Sequence, residues 1–152
     1  MIRISLAILL VTELVVGFWN QVIPANFYNN FPTVEATPPY SEHFARDFGG
    51  ATLGIAVLLA IALVSPRAVF VIPATLAYSV YSIPHFFFHL THLDEISTPE
   101  AIGLTTANAL GALLGLTTIV HSWCDAVAPT EAERRRGRLV FEDAVTPRKE
   151  PT

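Results

Sequence analysis

The sequence predicts an all-α protein: a four-transmembrane-helix antiparallel bundle with the N and C termini cytoplasmic. Three observations carry this. Of 152 residues, 52% are hydrophobic and only 14% are charged, more apolar surface than a soluble core of this length hides. Four apolar stretches each approach the roughly 20 residues a helix needs to cross a bilayer. The basic residues Arg3, Arg67 and the RRRGR run fall on one side of those stretches, with only Arg46 on the other, which orients the chain by the excess of positive charge inside.

The first span, residues 4–23, lies in MIRISLAILLVTELVVGFW. Glu13 interrupts its apolar run and no small-x-small cleavage site follows, so it reads as a retained helix rather than a signal peptide. The next segment is PANFYNNFPTVEATPPYSE, whose prolines and paired asparagines predict an ordered, non-helical loop at the membrane surface. Only Ser65, Pro66 and Arg67 separate the second span, 44–64, from the third, 68–93; so short a connection forces a tight hairpin. The fourth span, 101–123, follows DEISTPE, where Ser97 or Thr98 ahead of Pro99 and Glu100 reads as a helix N-terminus. Residues 1–124 are thus the transmembrane domain, and 125–152 a polar cytoplasmic tail, partly disordered. The face opposite the cytoplasm collects Glu35, Glu42, Asp47, Asp94, Glu95 and Glu100, with Trp19, Phe27, Tyr28, Phe31 and Tyr40 as an aromatic belt.

Composition also excludes. The single cysteine, Cys124, allows no disulfide within the chain and no Cys-based metal or Fe–S site. The basic run is short and has no aromatic platform beside it, so no nucleic acid is expected as a partner. The lipid bilayer is.

The segment richest in chemistry is PHFFFHLTHLD, at the outer end of the third span. At about 100° per residue, His85, His89 and His92 share one stripe, which Tyr78, Tyr81 and Ser82 extend toward the membrane interior. Polar residues at this depth must face into the bundle. On the second span His43 and Asp47 stand one turn apart, and Gly50 and Gly54 continue their line, small residues that admit a close neighbour. On the first, Glu13, Gly17 and Asn20 fall together; on the fourth, Asn108 shares a face with Gly111, Ala112 and Gly115.

A charged group at the bilayer centre costs at least about 2.5–3.5 kcal/mol unless paired or solvated. A metal ion would settle that cost, with imidazoles at i, i+4 and i+7 as nitrogen ligands and a facing carboxylate to neutralise charge. The expected ligands are His85 and His89, then His43, Asp47 and His92. With neither Cys nor Met in the set, they suit Zn, Fe, Mn or Cu(II). Glu13 is the candidate acid or base beside such a site. The rival readings are a hydrogen-bonded or proton-carrying network without metal, bis-His haem ligation, which a narrow bundle leaves little room for, and ordinary interfacial histidines. His92, near the water boundary, and His121, at the cytoplasmic end of the fourth span, fit that last reading best. Arg46 fits either a local salt bridge with Glu42 or Asp47 or an anion contact.

The blocks FYNNFP, PPYSEHFARDFGGATLGIAV and PHFFFHLTHLD resemble a group of small four-helix membrane proteins from actinobacteria. RDFGGATLGIAV is also similar to the DoxX-like superfamily, some members of which are associated with quinone-linked oxidation. The resemblance implies a multi-pass protein of a bacterial plasma membrane and names no catalytic residue. Three functions are therefore expected as alternatives: a metal site serving a redox or hydrolytic step, an accessory subunit of a larger respiratory-type membrane complex or a homo-oligomer, and a proton or solute pathway through Glu13, Asn108 and the histidines.

Overall fold

The computed structural model describes residues 1–34, 39–93, 96–129 and 131–145. Glu35, Asp94 and Glu95 of the expected acidic face, and the chain from residue 146 on, lie outside the described residues. The described chain is helical without strands: α1 (Ile2–Val22), α2 (Pro24–Asn30), α3 (Glu42–Val64), α4 (Ala68–Leu90), α5 (Thr98–Val127) and α6 (Glu131–Val145). Four of these, α1, α3, α4 and α5, are long and apolar enough to cross a membrane.

Large apolar side chains point outward, among them Ile4, Ile8, Val11, Val15 and Phe18 on α1 and Leu110, Leu113 and Val120 on α5. Small ones point inward: Gly17 on α1, Gly49, Thr52 and Ala56 on α3, Ala74, Thr75 and Ser79 on α4, Ala112 and Gly115 on α5. In lipid the hydrophobic effect does not drive helices together, so close backbone approach between small residues takes its place. The tightest instance joins α1 to α3. A Cβ on Gly49 would lie 2.7 Å from the Gln21 amide nitrogen and 2.9 Å from the Gly17 carbonyl oxygen, and one on Gly17 would lie 3.0 Å from Leu53 Cγ.

Toward the end of the molecule that holds Met1 and the Ser65–Arg67 turn, Leu6 and Leu9 cluster with Leu59, Ala62, Val71 and Ala74. Residue numbers thus rise along α1 as they fall along the facing stretch of α3. At the other end, Arg46 donates to the Gln21 carbonyl and to the Glu42 carboxylate, clamping the start of α3 to the close of α1. The pairs α1–α3, α3–α4, α4–α5 and α5–α1 all touch, closing a ring of four helices. We call the Met1 side the turn end and the opposite side the aromatic end.

Several element boundaries differ from the sequence expectation. The stretch after α1, expected as a non-helical loop, contains α2. Pro24 begins it, where a fixed φ and a missing N–H are both favourable. Trp19 holds it by donating its indole N–H to Asn26 (2.9 Å) and by edge contacts with Phe27 and Phe31. α4 ends at Leu90 rather than residue 93: the Thr91 and His92 amides donate three residues back, to the Phe88 and His89 carbonyls (3.2 and 3.3 Å), instead of four. α5 begins as expected at the capping box, the Glu100 carboxylate accepting from the Ser97 amide (3.0 Å) and hydroxyl (2.6 Å). It then runs on to Val127, and the polar segment beyond contains α6.

Candidate functional site

Polar side chains inside a membrane bundle can be satisfied by their own helix, and four here are. Asn20 donates to the Val16 carbonyl, Thr75 to Val71, Asn108 to Leu104 and Thr118 to Leu114. Asn108 thus spends its amide locally, four residues back. Six buried polar atoms have no hydrogen-bond partner among the described residues, Glu13 Oε2, Gln21 Oε1 and the hydroxyls of Ser79, Ser82, Thr105 and Ser122, and of these residues only Glu13 is ionisable. It sits near the midpoint of α1 and is 3% exposed.

Around Glu13 the interior changes character along the bundle axis. One turn toward the turn end lies Leu9, part of the cluster that also includes Leu6, Leu59, Ala62, Val71 and Ala74 and reaches Tyr78; Thr75, Thr118 and Ser122 are the hydroxyl residues buried in that half. On the aromatic side, the phenols of Tyr78 and Tyr81 lie within electrostatic reach of the Glu13 carboxyl, and the Ser82 hydroxyl stands beside Tyr78. Tyr81 stacks on His85 with ring centroids 5.1 Å apart, and His85 meets His89 edge-on at 4.5 Å. Phe48 of α3 leans on Tyr81 from the flank at 5.7 Å. Exposure grows along this line: Glu13, Tyr78 and Ser82 are buried, Tyr81, His85 and His89 half-buried, and His92 exposed.

Two glycines of α5 make room for the column. A Cβ on Gly111 would lie 2.7 Å from the Tyr78 hydroxyl. One on Gly115 would lie 2.8 Å from Ser79 Oγ and 2.9 Å from Tyr78 Cδ1. The expected stripe of Gly111, Ala112 and Gly115 is therefore the seat of Tyr78. Pro84, inside α4 just before His85, has no N–H to offer the Val80 carbonyl one turn back.

The expected metal ligands fall into three places. His85 and His89 line the interior. His43 and Asp47 pair with each other, Nε2 to Oδ2 3.2 Å, on a surface where the His43 side chain is 90% exposed. Gly50 and Gly54, on the same line, are likewise exposed, so that stripe of α3 faces outward, and the neighbour-facing glycine is Gly49. His92 lies past the end of α4, its ring stacked on Phe88 at 4.1 Å and its Nδ1 2.8 Å from the Phe88 carbonyl; the stripe of i, i+4, i+7 stops at His89. Among the described residues no three His, Cys, Asp or Glu side chains come together to hold a metal ion. Arg46 forms the local bridge, to Glu42 at 2.8 Å, and His121 faces Asp125 at 3.7 Å on the exposed end of α5. Ser79 acquires its place only from the fold, where it packs against Gly115 of α5.

Four apolar spans around a polar interior are the architecture of a multi-pass membrane protein. No family model, curated protein or solved structure matches the chain.

Proposed function

We propose that this chain is an antiparallel four-span protein of a bacterial plasma membrane, with both termini cytoplasmic, that loads and releases a proton at Glu13 from the outer face. Orientation is supported by Arg3 and Arg67 at the turn end, which makes the aromatic end the outer one. A proton from outer water passes by way of the His89 and His85 imidazoles and the Tyr81 and Tyr78 phenols to the Glu13 carboxylate, each group accepting one proton as it gives one up. The apolar cluster from Leu9 to Val71 closes the inner half, so the protein is a one-sided acid rather than a through-channel. The single observation that carries this reading is the graded column itself: a buried carboxyl with an unpartnered oxygen at its foot, exposed histidine at its mouth, and a mainly apolar cluster beneath. Intramembrane ionisable residues mark proton relays when they face a bundle interior.

A second reading follows from the adjacent imidazoles of His85 and His89: a transition-metal ion (Zn, Fe, Mn or Cu) held by that pair with a ligand from the substrate or a partner completing the set. In a Cys124→Ser background, cysteines at positions 92, 89, 85 and 74 are to be challenged from either side of oriented proteoliposomes with a small membrane-impermeant thiol reagent. The proton-loading reading expects rates that fall in the order 92, 89, 85 from the outer side, and no reaction at 74 from either side. Equal protection of 85 and 89, or reaction of 74 from the inner side, would overturn it. Stoichiometric zinc in the unmodified protein, lost on His85→Ala, would favour the metal instead.

A further inference from the structure

α6 makes no contact with the other helices, yet Leu139, Val140, Phe141 and Val145 are between 61% and 68% exposed on it. A solitary 15-residue helix is marginal in water, so something covers it. Its composition and its place say what. On a helical wheel at about 100° per residue, Val140, Phe141 and Val145 gather with Gly137 on one side, while Arg136 and Arg138 flank that side at about 110° and 90° from its centre. Leu139 falls opposite, Glu131 and Glu142 lie at about 110° and 130° from that centre, and in the first turn Glu133 and Arg134 fall within the apolar arc. Arg134 donates to the Pro129 carbonyl and Arg135 pairs with Glu131, which leaves Arg136 and Arg138 available.

Three residues separate Val127, the end of α5, from Glu131, so α6 starts within about 15 Å of the point where a membrane span ends. One turn before that end stands Trp123, exposed, the residue type that anchors helices at the headgroup level. A helix tethered there has a bilayer surface within reach before any other partner.

We propose that α6 lies in the headgroup layer of an anionic leaflet, seating Val140, Phe141 and Val145 among the upper acyl chains and holding lipid phosphates with Arg136 and Arg138. Flanking arginines extend their charged ends from an apolar face toward phosphate, and each basic residue near an anionic surface contributes about 1 kcal/mol, roughly a five-fold change in partitioning. The inference rests on the membrane-spanning reading of α5 and not on the Glu13 column.

The test uses the full chain in a Cys124→Ser background, spin-labelled through Phe141→Cys and reconstituted into nanodiscs of phosphatidylcholine alone or mixed with phosphatidylglycerol. Collision with oxygen reports lipid, and collision with a water-soluble nickel complex reports water. In the anionic discs the label should read lipid; in phosphatidylcholine, or with Arg136→Gln and Arg138→Gln together, the ratio of lipid to water exposure should fall about 25-fold. A water-exposed label in anionic discs overturns the inference, as does an equal lipid reading in both compositions. So does shielding from both agents, which would mean that a protein surface covers α6. A label at Leu113, exposed on the middle of the span, should read lipid throughout. Were it in water, the spanning reading would fail, and this inference with it.

Discussion

Gly49→Ala should lower the stability of the bundle by about 1–3 kcal/mol, while Gly50→Ala and Gly54→Ala should raise it by up to about 1 kcal/mol through helix propensity, as read by reversible unfolding in detergent micelles. The three glycines lie on the same helix within six residues, so propensity is equal and only the surroundings differ. A new methyl at 49 meets the Gln21 amide nitrogen and the Gly17 carbonyl, both backbone atoms of α1 that cannot swing aside. A methyl at 50 approaches only the end of the Gln21 side chain at 3.5 Å, and one at 54 meets nothing within 4 Å. The clash at 49 also pushes α1 from α3, and with it Glu13 from the phenols of α4. Equal effects at 49 and 54 would mean that α1 and α3 do not approach as described.

Glu13→Leu should make the protein more stable and inactive at once. A carboxyl in the middle of a span with one oxygen unpartnered is kept against the preference of the surrounding interior, and replacing it with an apolar side chain of similar size recovers about 1–3 kcal/mol. The same substitution removes the only carboxyl in the column. Stability without function is the signature of a site maintained for its chemistry. Unfolding of Glu13→Leu beside the unaltered chain gives the sign. A loss of stability would make Glu13 a structural residue, whose unseen partner had been removed.

Much of this was legible in the sequence, because the bilayer imposes a period and a length that apolar runs must meet. The four spans, the hairpin at Ser65–Arg67 and the start of α5 at Ser97 and Glu100 all follow from such local rules. So do the inward stripes of Glu13, Gly17 and Asn20 on α1 and of Tyr78, Ser82 and His85 on α4, whose polar groups lie deep enough to be forced inward. The phase of α3 was not legible. His43 and Asp47 lie in its first two turns, where water satisfies them on any face, so they carry no information about the bundle side. With Gly49 and Gly50 adjacent in sequence, a phase set by those polar residues selected the wrong glycine. His92 leaves the stripe for a different reason: the backbone tightens to bonds three residues back at Thr91 and His92, so the helix stops before reaching it. α2 is held by Trp19, seven residues from its partner Asn26, a contact that short-range turn chemistry does not report. α6 has a polar composition whose helix was hidden by its charges.

The direct measurement for the whole account is infrared difference spectroscopy of oriented proteoliposomes on a one-sided pH step, following the carbonyl stretch of a buried carboxylic acid that disappears in Glu13→Gln. That band should respond to a pH change on the side of His92 and stay fixed when only the side of Met1 is changed, with slower exchange in a His85→Phe, His89→Phe double variant. A band that follows the Met1 side, or that answers neither side, would contradict the assignment of Glu13 as an acid served from the outer face.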